Sequence, residues 1–283
     1  FLFSNNYLFK KSLLFNPDIF LGLNSIYFRI ISKILRKPFI LFEDNEYSWS
    51  QLITRVPFAT VVLTNSSFPQ KFNKQHIYYN SYEELAYLHP NRFNPKKEIK
   101  KKYNIRVDKK LIVLRLIAWN ATHDLRHHGL FDDREELVLF IQKLNNLGDL
   151  ILSIEGYTPI LVQNNRIMEV EPGDFLDLLY YADLYVGEGG TVAAEAAMLS
   201  TPAIYTSTLL RSYIKELSNH YKLIYTSTSK KEVLEKIEDF LYNERVKKRI
   251  KINWEKMIND KSDLTKYIVF IVENFYRINK INR

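Results

Sequence analysis

The stretch from residue 182 to residue 205, ADLYVGEGGTVAAEAAMLSTPAIY, constrains the fold of this chain more than any other. A short apolar run is followed by a glycine-rich turn and then by an alanine-rich segment that ends before Pro202. This order predicts a buried strand, a helix over residues 192–199 capped by Thr191, and a second strand. Such a unit indicates a parallel sheet, with the helix N-terminus at the carboxyl ends of the strands.

That helix N-terminus is a predicted anion site, because free backbone N–H groups and the helix dipole favour negative charge there. Glu195 lies one helical turn beyond Thr191, where its carboxylate can accept hydrogen bonds from a vicinal diol such as a ribose. Glycines that only permit close packing, with a solvated Glu195, explain the spacing equally well. The candidate substrate-binding residues of this segment are Glu188, Gly189, Gly190, Thr191 and Glu195.

Strands and helices alternate in two parts of the chain, which an aromatic, proline-containing segment separates. We therefore predict an N-terminal α/β domain at residues 1–78, an ordered linker at 79–95, a C-terminal α/β domain at 96–260 and a closing helix at 261–283. The second domain is expected to hold a doubly wound sheet of about six strands. Only three strands are predicted before the linker, so the first domain is expected to be incomplete at its start.

Two loops carry most of the polar chemistry, and each follows a predicted strand at the sheet edge where open α/β folds bind ligands. The first holds Glu43 and Asp44, candidate catalytic carboxylates that a solvated loop also explains. The second, IAWNATHDLRHHGLFD, holds His123, a candidate acid or base near neutral pH. With the strand before it, this loop supplies three more candidate substrate-binding residues, Arg115, Trp119 and Asn120.

The histidine-rich loop admits two further interpretations. His123 and His127 stand at helical spacing beside Asp124, as in some metal sites, but Gly129 disrupts a long helix here. The loop can also be held by its own hydrogen bonds without any catalytic role. We predict no metal site, because the chain has no cysteine and no pair of aspartates placed to hold a metal-bound diphosphate after a strand.

The charge of the chain limits the kinds of molecule that it is expected to bind. Forty Lys and Arg residues against 32 Asp and Glu residues give a formal charge of +8. The basic runs at residues 96–102, 106–110 and 245–251 are typical of solvated surfaces, so no nucleic acid is expected. A basic surface also attracts anionic substrates and lipid phosphates. We expect a cytoplasmic protein with peripheral contact at the inner face of the membrane.

GEGGTVAAEAAMLSTP resembles the donor-binding segment of GT-B glycosyltransferases and of the related UDP-N-acetylglucosamine 2-epimerases. In that segment a glycine pair meets the diphosphate, and a glutamate, here Glu195, binds the ribose. FEDNE, YLHPNRF, LRLIAWNATHD and GEGGTVAAEAA, in this order, resemble an uncharacterised prokaryotic GT-B-like family from about residue 16 onward. Ser200 stands where the pattern has glycine, and Glu188 adds a negative charge beside the expected phosphates.

The resemblance implies a GT-B-like α/β architecture, with two Rossmann-type doubly wound domains that face a cleft. It implies transfer of a sugar from a UDP-type donor to a saccharide or lipid-linked acceptor in surface polysaccharide or glycolipid synthesis, without a cofactor. A non-hydrolysing UDP-N-acetylglucosamine 2-epimerase and a non-catalytic nucleotide-sugar-binding protein stay open as alternatives. Glu43, Asp44 and His123 suit either enzyme, so these residues do not separate the two reactions.

Overall fold

Short apolar runs of the sequence form two parallel β-sheets, one in each of two units. The computed structural model describes residues 2–23, 25–47, 56–72, 75–116, 130–131, 134–154, 167–168 and 170–277. The first unit joins Phe1–Glu83 with Lys261–Arg283, and the second unit is Glu84–Asp260.

In the described part of the first unit, four parallel strands follow the chain order β1-β2-β3-β4. The runs FILF and VVLTN of the two central strands are fully buried, as is usual for parallel strands covered on both faces. Ser25 caps the second helix, since its hydroxyl accepts the backbone N–H of Phe28 at 3.3 Å. The elements are α1 Leu2–Phe15, β1 Phe20–Leu23, α2 Ile26–Ile34, β2 Phe39–Phe42, a 3-10 turn at Val56–Phe58, β3 Val61–Asn65 and β4 Gln75–Tyr79.

One face of the first sheet is covered by α1, α2 and the 3-10 turn, which we call the outer helical layer. Phe39 and Leu41 point to this face because strand residues alternate, and Val62 pairs with Leu41 in the next strand. Side chains from the sheet and from all three covering segments share a single apolar cluster, so the segments form one layer. The cluster comprises Phe20, Ile31, Phe39, Leu41, Val56, Ala59 and Val62, with Leu8, Phe9, Phe28, Leu35 and Phe72 packed against it.

The first unit departs from the sequence prediction at β4, because Gln75–Tyr79 is a fourth strand before the segment predicted as a linker. The prediction of three strands was wrong here. Among the five residues of β4 only Tyr79 is buried, so QHIYY presents no apolar run by which to recognise a strand.

The C-terminal segment belongs to the first unit, whereas the sequence analysis treated it as a separate closing helix. The backbone N–H of Ser262 donates to the carbonyl of Asn80 at 2.8 Å. The Lys261 ammonium lies 4.6 Å from the centre of the Tyr82 ring. These contacts attach the segment directly after β4.

The second unit contains six parallel strands among its described residues, in the order β10-β9-β8-β5-β6-β7. Counted within the unit this order is 6-5-4-1-2-3, the doubly wound arrangement, and it confirms the predicted sheet. The chain reverses its direction of strand addition between β5 and β8, which are hydrogen-bonded neighbours. The strands are β5 Lys110–Leu116, β6 Gly148–Ile154, β7 Ile167–Met168, β8 Leu184–Gly187, β9 Ala203–Tyr205 and β10 Ile224–Thr226.

The helices of the second unit lie before, between and after these strands, and the last helix of the chain belongs to the first unit. Among the helices that the structure describes, none is both long enough and apolar enough to cross a bilayer. The helices are α3 Leu85–Leu88, α4 Ile99–Lys102, α5 Arg134–Leu147, α6 Phe175–Tyr181 after a 3-10 turn at Pro172–Asp174, α7 Gly190–Met198, α8 Ser212–Asn219, α9 Lys230–Tyr242, α10 Glu244–Asp260 and α11 Leu264–Glu273.

Candidate functional site

The reversal point between β5 and β8 is where a doubly wound sheet binds its ligands, outside the carboxyl ends of the strands. The chain leaves β8 directly into the glycine-rich turn and α7. The loop that leaves β5 begins at residue 117, and residues 117–129 lie outside the described residues. Trp119, Asn120 and His123 fall in that loop, so their proposed roles stay predictions.

Gly187 lets the ends of β8 and β5 lie close together. A Cβ atom at this position would stand 2.4 Å from the carbonyl oxygen of Arg115 and 2.7 Å from the hydroxyl of Tyr185. The backbone N–H of Glu188 then donates to the same Arg115 carbonyl at 3.1 Å. A side chain at residue 187 would therefore separate the two strands at the reversal point.

Helix α7 begins at Gly190, with Gly189 as its N-cap at φ −79° and ψ 112°. The prediction that Thr191 caps the helix was wrong: Thr191 is an exposed residue of the first turn. The extended backbone of Gly189 starts the helix earlier, and its carbonyl accepts the N–H of Ala193 and the hydroxyl of Tyr185, each at 3.0 Å. The first backbone N–H groups of the helix have no acceptor within it, as in any α-helix, and the anion site stays a prediction.

Buried tyrosines hold this turn in place, and the sequence analysis did not identify them. Tyr185 is fully buried, which raises the pKa of its phenol well above the usual value and keeps it a hydrogen-bond donor. The Tyr205 hydroxyl donates to the carbonyl of Leu209 at 2.8 Å. A Cβ atom added to Gly190 would lie 3.3 Å from the hydroxyl of Tyr213. The glycine turn is therefore packed against buried tyrosine side chains.

Glu188 is buried, with 5% of its surface exposed, although it lies beside the predicted phosphate site. Its carboxylate accepts the backbone N–H of Leu130 at 3.2 Å. Leu130 follows the loop that leaves β5, so this hydrogen bond joins that loop to the glycine turn. The predicted contact of Glu188 with a substrate stays a prediction.

Glu195 projects from the second turn of α7, where a tyrosine from another segment donates to it and an arginine charge acts on it. The Tyr87 hydroxyl donates to Glu195 Oε1 at 2.8 Å. Burial raises the pKa of the Glu195 carboxyl, while the Tyr87 hydrogen bond and the positive charge of Arg115 oppose that rise. Arg115, on β5, also donates to the hydroxyl of Ser153 on β6. The charge of Arg115 therefore acts on the Glu195 carboxyl, and the binding roles of both residues stay predictions.

Tyr87 belongs to the residues that the sequence analysis missed. It lies on the four-residue helix α3, in the segment predicted to be a linker, and is separated from Glu195 by 108 positions. No motif connects the two residues in the sequence. Only the folded chain shows that this tyrosine reaches the candidate site.

The backbone at the end of α7 explains why the donor-binding pattern has a glycine where this chain has Ser200. Ser200 has φ 61°, in the left-handed region that favours glycine. Its N–H donates to the Ala197 carbonyl at 3.2 Å, and the N–H of Thr201 donates to the Ala196 carbonyl at 2.9 Å. This pair of bonds is the Schellman motif, which needs a left-handed residue after the helix.

The acidic loop of the first unit is less solvated than one interpretation of the sequence expected. Glu43 is fully buried at the carboxyl end of β2, and Glu43 Oε1 accepts the backbone N–H of Asn45 at 3.1 Å. Glu46 is buried too, whereas Asp44 is half-buried. The catalytic roles of Glu43 and Asp44 stay predictions. No group of three His, Asp or Glu side chains within the described ranges is arranged to hold a metal ion.

Comparisons with known proteins agree with this architecture. The chain is 26% identical over 239 residues to the uncharacterised protein MJ0665 of Methanocaldococcus jannaschii, covering 80% of this chain and 67% of MJ0665. The structure resembles the UDP-GlcNAc 2-epimerase from Neisseria meningitidis bound to UDP-GlcNAc, with a TM-score of 0.63 and 13% identity over 96% of this chain and 80% of that one. It also resembles the spinosyn forosaminyltransferase SpnP, with a TM-score of 0.61 and 11% identity over 97% of this chain and 79% of that one.

At these identities the likeness shows the fold alone, and the predicted GT-B-like α/β fold is confirmed. The predicted relationship to an uncharacterised family beside the epimerases and transferases is confirmed as well. A family model described as "Protein of unknown function (DUF354)" matches residues 13–275, almost the whole sequence, and the chain therefore belongs to the DUF354 family.

Proposed function

We propose that this protein is a GT-B-type glycosyltransferase that moves a sugar from a UDP-type nucleotide to a surface polysaccharide or glycolipid acceptor. The second unit would bind the nucleotide sugar, and the first unit would bind the acceptor on the cytoplasmic side of the membrane. The single observation that carries the proposal is the position of Glu195, one turn beyond the free N-terminus of α7 at the reversal point of the sheet.

The glycine turn suits a diphosphate. The first-turn N–H groups of α7 can donate charge-assisted hydrogen bonds to phosphate oxygens, and the helix dipole adds about 0.3–1 kcal/mol for a negative charge. Gly189 and Gly190 carry no side chains that would hold a ligand away from the backbone. The exposed hydroxyl of Thr191 can add another donor.

Glu195 suits a ribose. Four residues of helix separate it from Thr191, about 6 Å along the axis, which matches the reach from a 5′-phosphate to the ribose hydroxyls. An ionised carboxylate offers about four lone-pair sites, so the bond from Tyr87 leaves room for two hydroxyl donors. The positive charge of Arg115 favours the ionised form that this binding needs.

The chemistry would use residues of the chain without a metal. The helix N-terminus and nearby cations would offset the charge that develops on the leaving diphosphate. Asp44, which is more accessible than Glu43, would act as the general base toward the acceptor hydroxyl. His123 would assist from the loop that follows β5.

A non-hydrolysing UDP-GlcNAc 2-epimerase is the second candidate. Its support is the similarity to the Neisseria meningitidis enzyme, which covers nearly all of this chain. That reaction needs groups that remove and return a proton at the sugar C2 carbon, and Glu43, Asp44 and His123 are the candidates here.

Incubation with UDP-GlcNAc, with and without candidate saccharide or lipid-linked acceptors, tests the proposal. We expect UDP release that depends on the acceptor. A 2-epimer formed without acceptor would replace the proposed function by the epimerase, and binding of UDP-GlcNAc without turnover would indicate a non-catalytic binding protein. Activity lost on chelation and restored by Mg²⁺ or Mn²⁺ would contradict the metal-free mechanism.

A further inference from the structure

The first 42 residues of the chain have a strongly unbalanced charge. Asp18 is the one acidic residue among them. Six basic residues accompany it, at positions that later form α1, α2 and the turn after α2: Lys10, Lys11, Arg29, Lys33, Arg36 and Lys37. This part of the outer helical layer therefore creates a positive potential that the net charge of the whole chain does not reveal.

The same layer exposes large apolar side chains. Leu13, Leu14 and Phe15 are consecutive at the end of α1, and Leu14 and Phe15 expose 83% and 82% of their surfaces. Ile34, the last residue of α2, is also exposed. Single exposed apolar residues are common, but a consecutive group on one layer is typical of a surface that contacts a partner.

Cations and an aromatic ring also meet within this layer, close in the chain to Ile34. The guanidinium carbon of Arg29 and the ammonium nitrogen of Lys33 each lie 4.9 Å from the centre of the Phe58 ring. Beside the ring is a depression of about 520 Å³. Its lining mixes two ammonium groups with two hydroxyls and apolar carbon: Ser32, Lys33, Lys37, Pro57, Phe58, Ala59 and Thr60.

The elements that carry these features pack on one face of the first sheet. Leu8 and Phe9 of α1, Ile31 of α2 and Val56 of the 3-10 turn all contact the same apolar cluster. Side chains on the opposite sides of these elements therefore point away from the sheet together. Lys10, Lys11 and Lys33 are exposed on that outward side.

From this arrangement we propose that the outer helical layer is a peripheral binding surface for an anionic lipid bilayer. Leu14 and Phe15 enter the boundary between headgroups and acyl chains, where burial of apolar area stabilises the bound state. The cations attract the negative surface of the leaflet, and the depression beside Phe58 accepts a lipid phosphate between Lys33 and Lys37.

The combination of charges with exposed aliphatic side chains favours a bilayer over the other partners of a basic surface. Nucleic acids are bound by cations with polar or stacking groups, and Leu14 and Ile34 offer neither. A second copy of the same basic layer would bring like charges together, which opposes self-association through this surface. A lipid interface satisfies the cations and the apolar side chains at once.

Flotation of the full chain with lipid vesicles tests the proposal. We expect binding to vesicles that contain phosphatidylglycerol, weak binding to pure phosphatidylcholine, and weakening by salt. The double variant Lys33→Gln/Lys37→Gln should lower the partition coefficient about thirtyfold. Its matched control is Lys248→Gln/Lys251→Gln, which removes the same charge from exposed positions of α10 in the second unit and should bind as wild type.

A second variant and its control test how much the apolar side chains contribute to vesicle binding. Leu14→Ser/Phe15→Ser should abolish flotation, while Ile252→Ser, which changes a side chain of the second unit that is 64% exposed, should have no effect. Equal losses in variants and controls, or equal binding to neutral and anionic vesicles, would overturn the proposal. So would a concentration-dependent dimer that Leu14→Ser/Phe15→Ser dissociates.

The bilayer proposal and the sugar-transfer proposal fail separately. UDP binding, measured by calorimetry on the same variants, concerns the second unit and should match wild type in all of them. Vesicle binding without UDP binding would retain the lipid surface and contradict the proposed nucleotide site. UDP binding without vesicle binding would retain the nucleotide site and contradict the proposed lipid surface.

Discussion

The acidic residues after β2 and those after β8 each follow the carboxyl end of a parallel strand, but their burial and hydrogen-bond partners differ. In the first unit Glu43 is fully buried, and its carboxylate accepts a hydrogen bond from its own loop. In the second unit Glu195 stands one turn along a helix, and its carboxylate accepts a hydrogen bond from Tyr87, a residue of another segment. The carboxyl edge of a sheet thus holds one carboxylate that supports a loop and another that can receive a ligand.

The comparison predicts its largest effect at Glu195. Glu195→Ala should weaken UDP binding by about 2–4 kcal/mol, ten- to several-hundredfold, because two hydrogen bonds from the ribose to a charged acceptor are lost. Pyrophosphate has no diol, so its affinity should be unchanged or higher. Calorimetry with both ligands measures the difference, and equal losses for the two would exclude Glu195 from the site.

At Glu43 the expected loss is in folding stability. Glu43→Ala removes the acceptor of the Asn45 N–H in a buried place and should lower the free energy of unfolding by about 1–3 kcal/mol. Asp44→Ala, its half-buried neighbour, should cost less than about 1 kcal/mol. Urea unfolding of both variants measures this contrast. If Asp44→Ala is the more damaging of the two, the comparison between the loops is wrong.

Tyr87→Phe should have a smaller, pH-dependent effect on UDP binding. Burial raises the Glu195 pKa and the Tyr87 hydroxyl lowers it, so removing the hydroxyl should raise this pKa further. Ionised Glu195 is needed for binding, so affinity falls as pH falls through the Glu195 pKa. The midpoint of that loss should move to higher pH in Tyr87→Phe.

Because UDP itself titrates, the pH profile of Tyr87→Phe needs a reference variant. Glu195→Gln has no carboxyl at this position and reports only the titration of the ligand and of other groups. Profiles of wild type and Tyr87→Phe, each divided by that of Glu195→Gln, should differ in midpoint. Coincident midpoints would show that Tyr87 does not act on the Glu195 carboxyl.

The smallest expected effect is a gain in stability at Ser200. Its left-handed backbone costs a residue with a side chain about 1–2 kcal/mol, and glycine adopts this conformation without that cost. Glycine also loses more backbone freedom on folding, so Ser200→Gly should raise the free energy of unfolding by about 1 kcal/mol. Thermal unfolding measures it, with Ser212→Gly in the first turn of α8 as a control that should destabilise.

The sequence predicted the second sheet well because most of its strands are apolar runs and because a glycine-rich turn and Pro202 flank α7. The helix predicted at residues 192–199, between two strands, is α7 at Gly190–Met198, between β8 and β9. It failed where tertiary contacts decide local structure. Gln75–Tyr79 is a strand because β3 pairs with it, not because its own residues favour a buried strand.

In the candidate site, too, some residues are recognisable from the sequence and others only from the folded structure. The glycine turn and Glu195 are recognisable because they are close together in the sequence. Tyr87 and the buried Tyr205 and Tyr213 are not recognisable, because their contacts with α7 or its turn join distant positions. The cap at Gly189 was missed because threonine has a side-chain oxygen that can accept a first-turn N–H and glycine has none, and only the backbone conformation shows where the helix begins.

The first unit is built from two segments that lie far apart in the sequence, and this affects how the chain folds while it is being synthesised. All of Glu84–Asp260 leaves the ribosome before Lys261–Arg283, so the second unit can fold while the first still lacks one of its parts. The hydrogen bonds that Ser81 donates to Ser262 and that Ser262 donates to Asn80 form only afterwards. During that interval Tyr79 lacks the ring of Tyr267, which lies 6.2 Å away in the finished protein. The nascent first unit, whose outer helical layer already exposes Leu14 and Phe15, is therefore open to aggregation or chaperone binding during that interval.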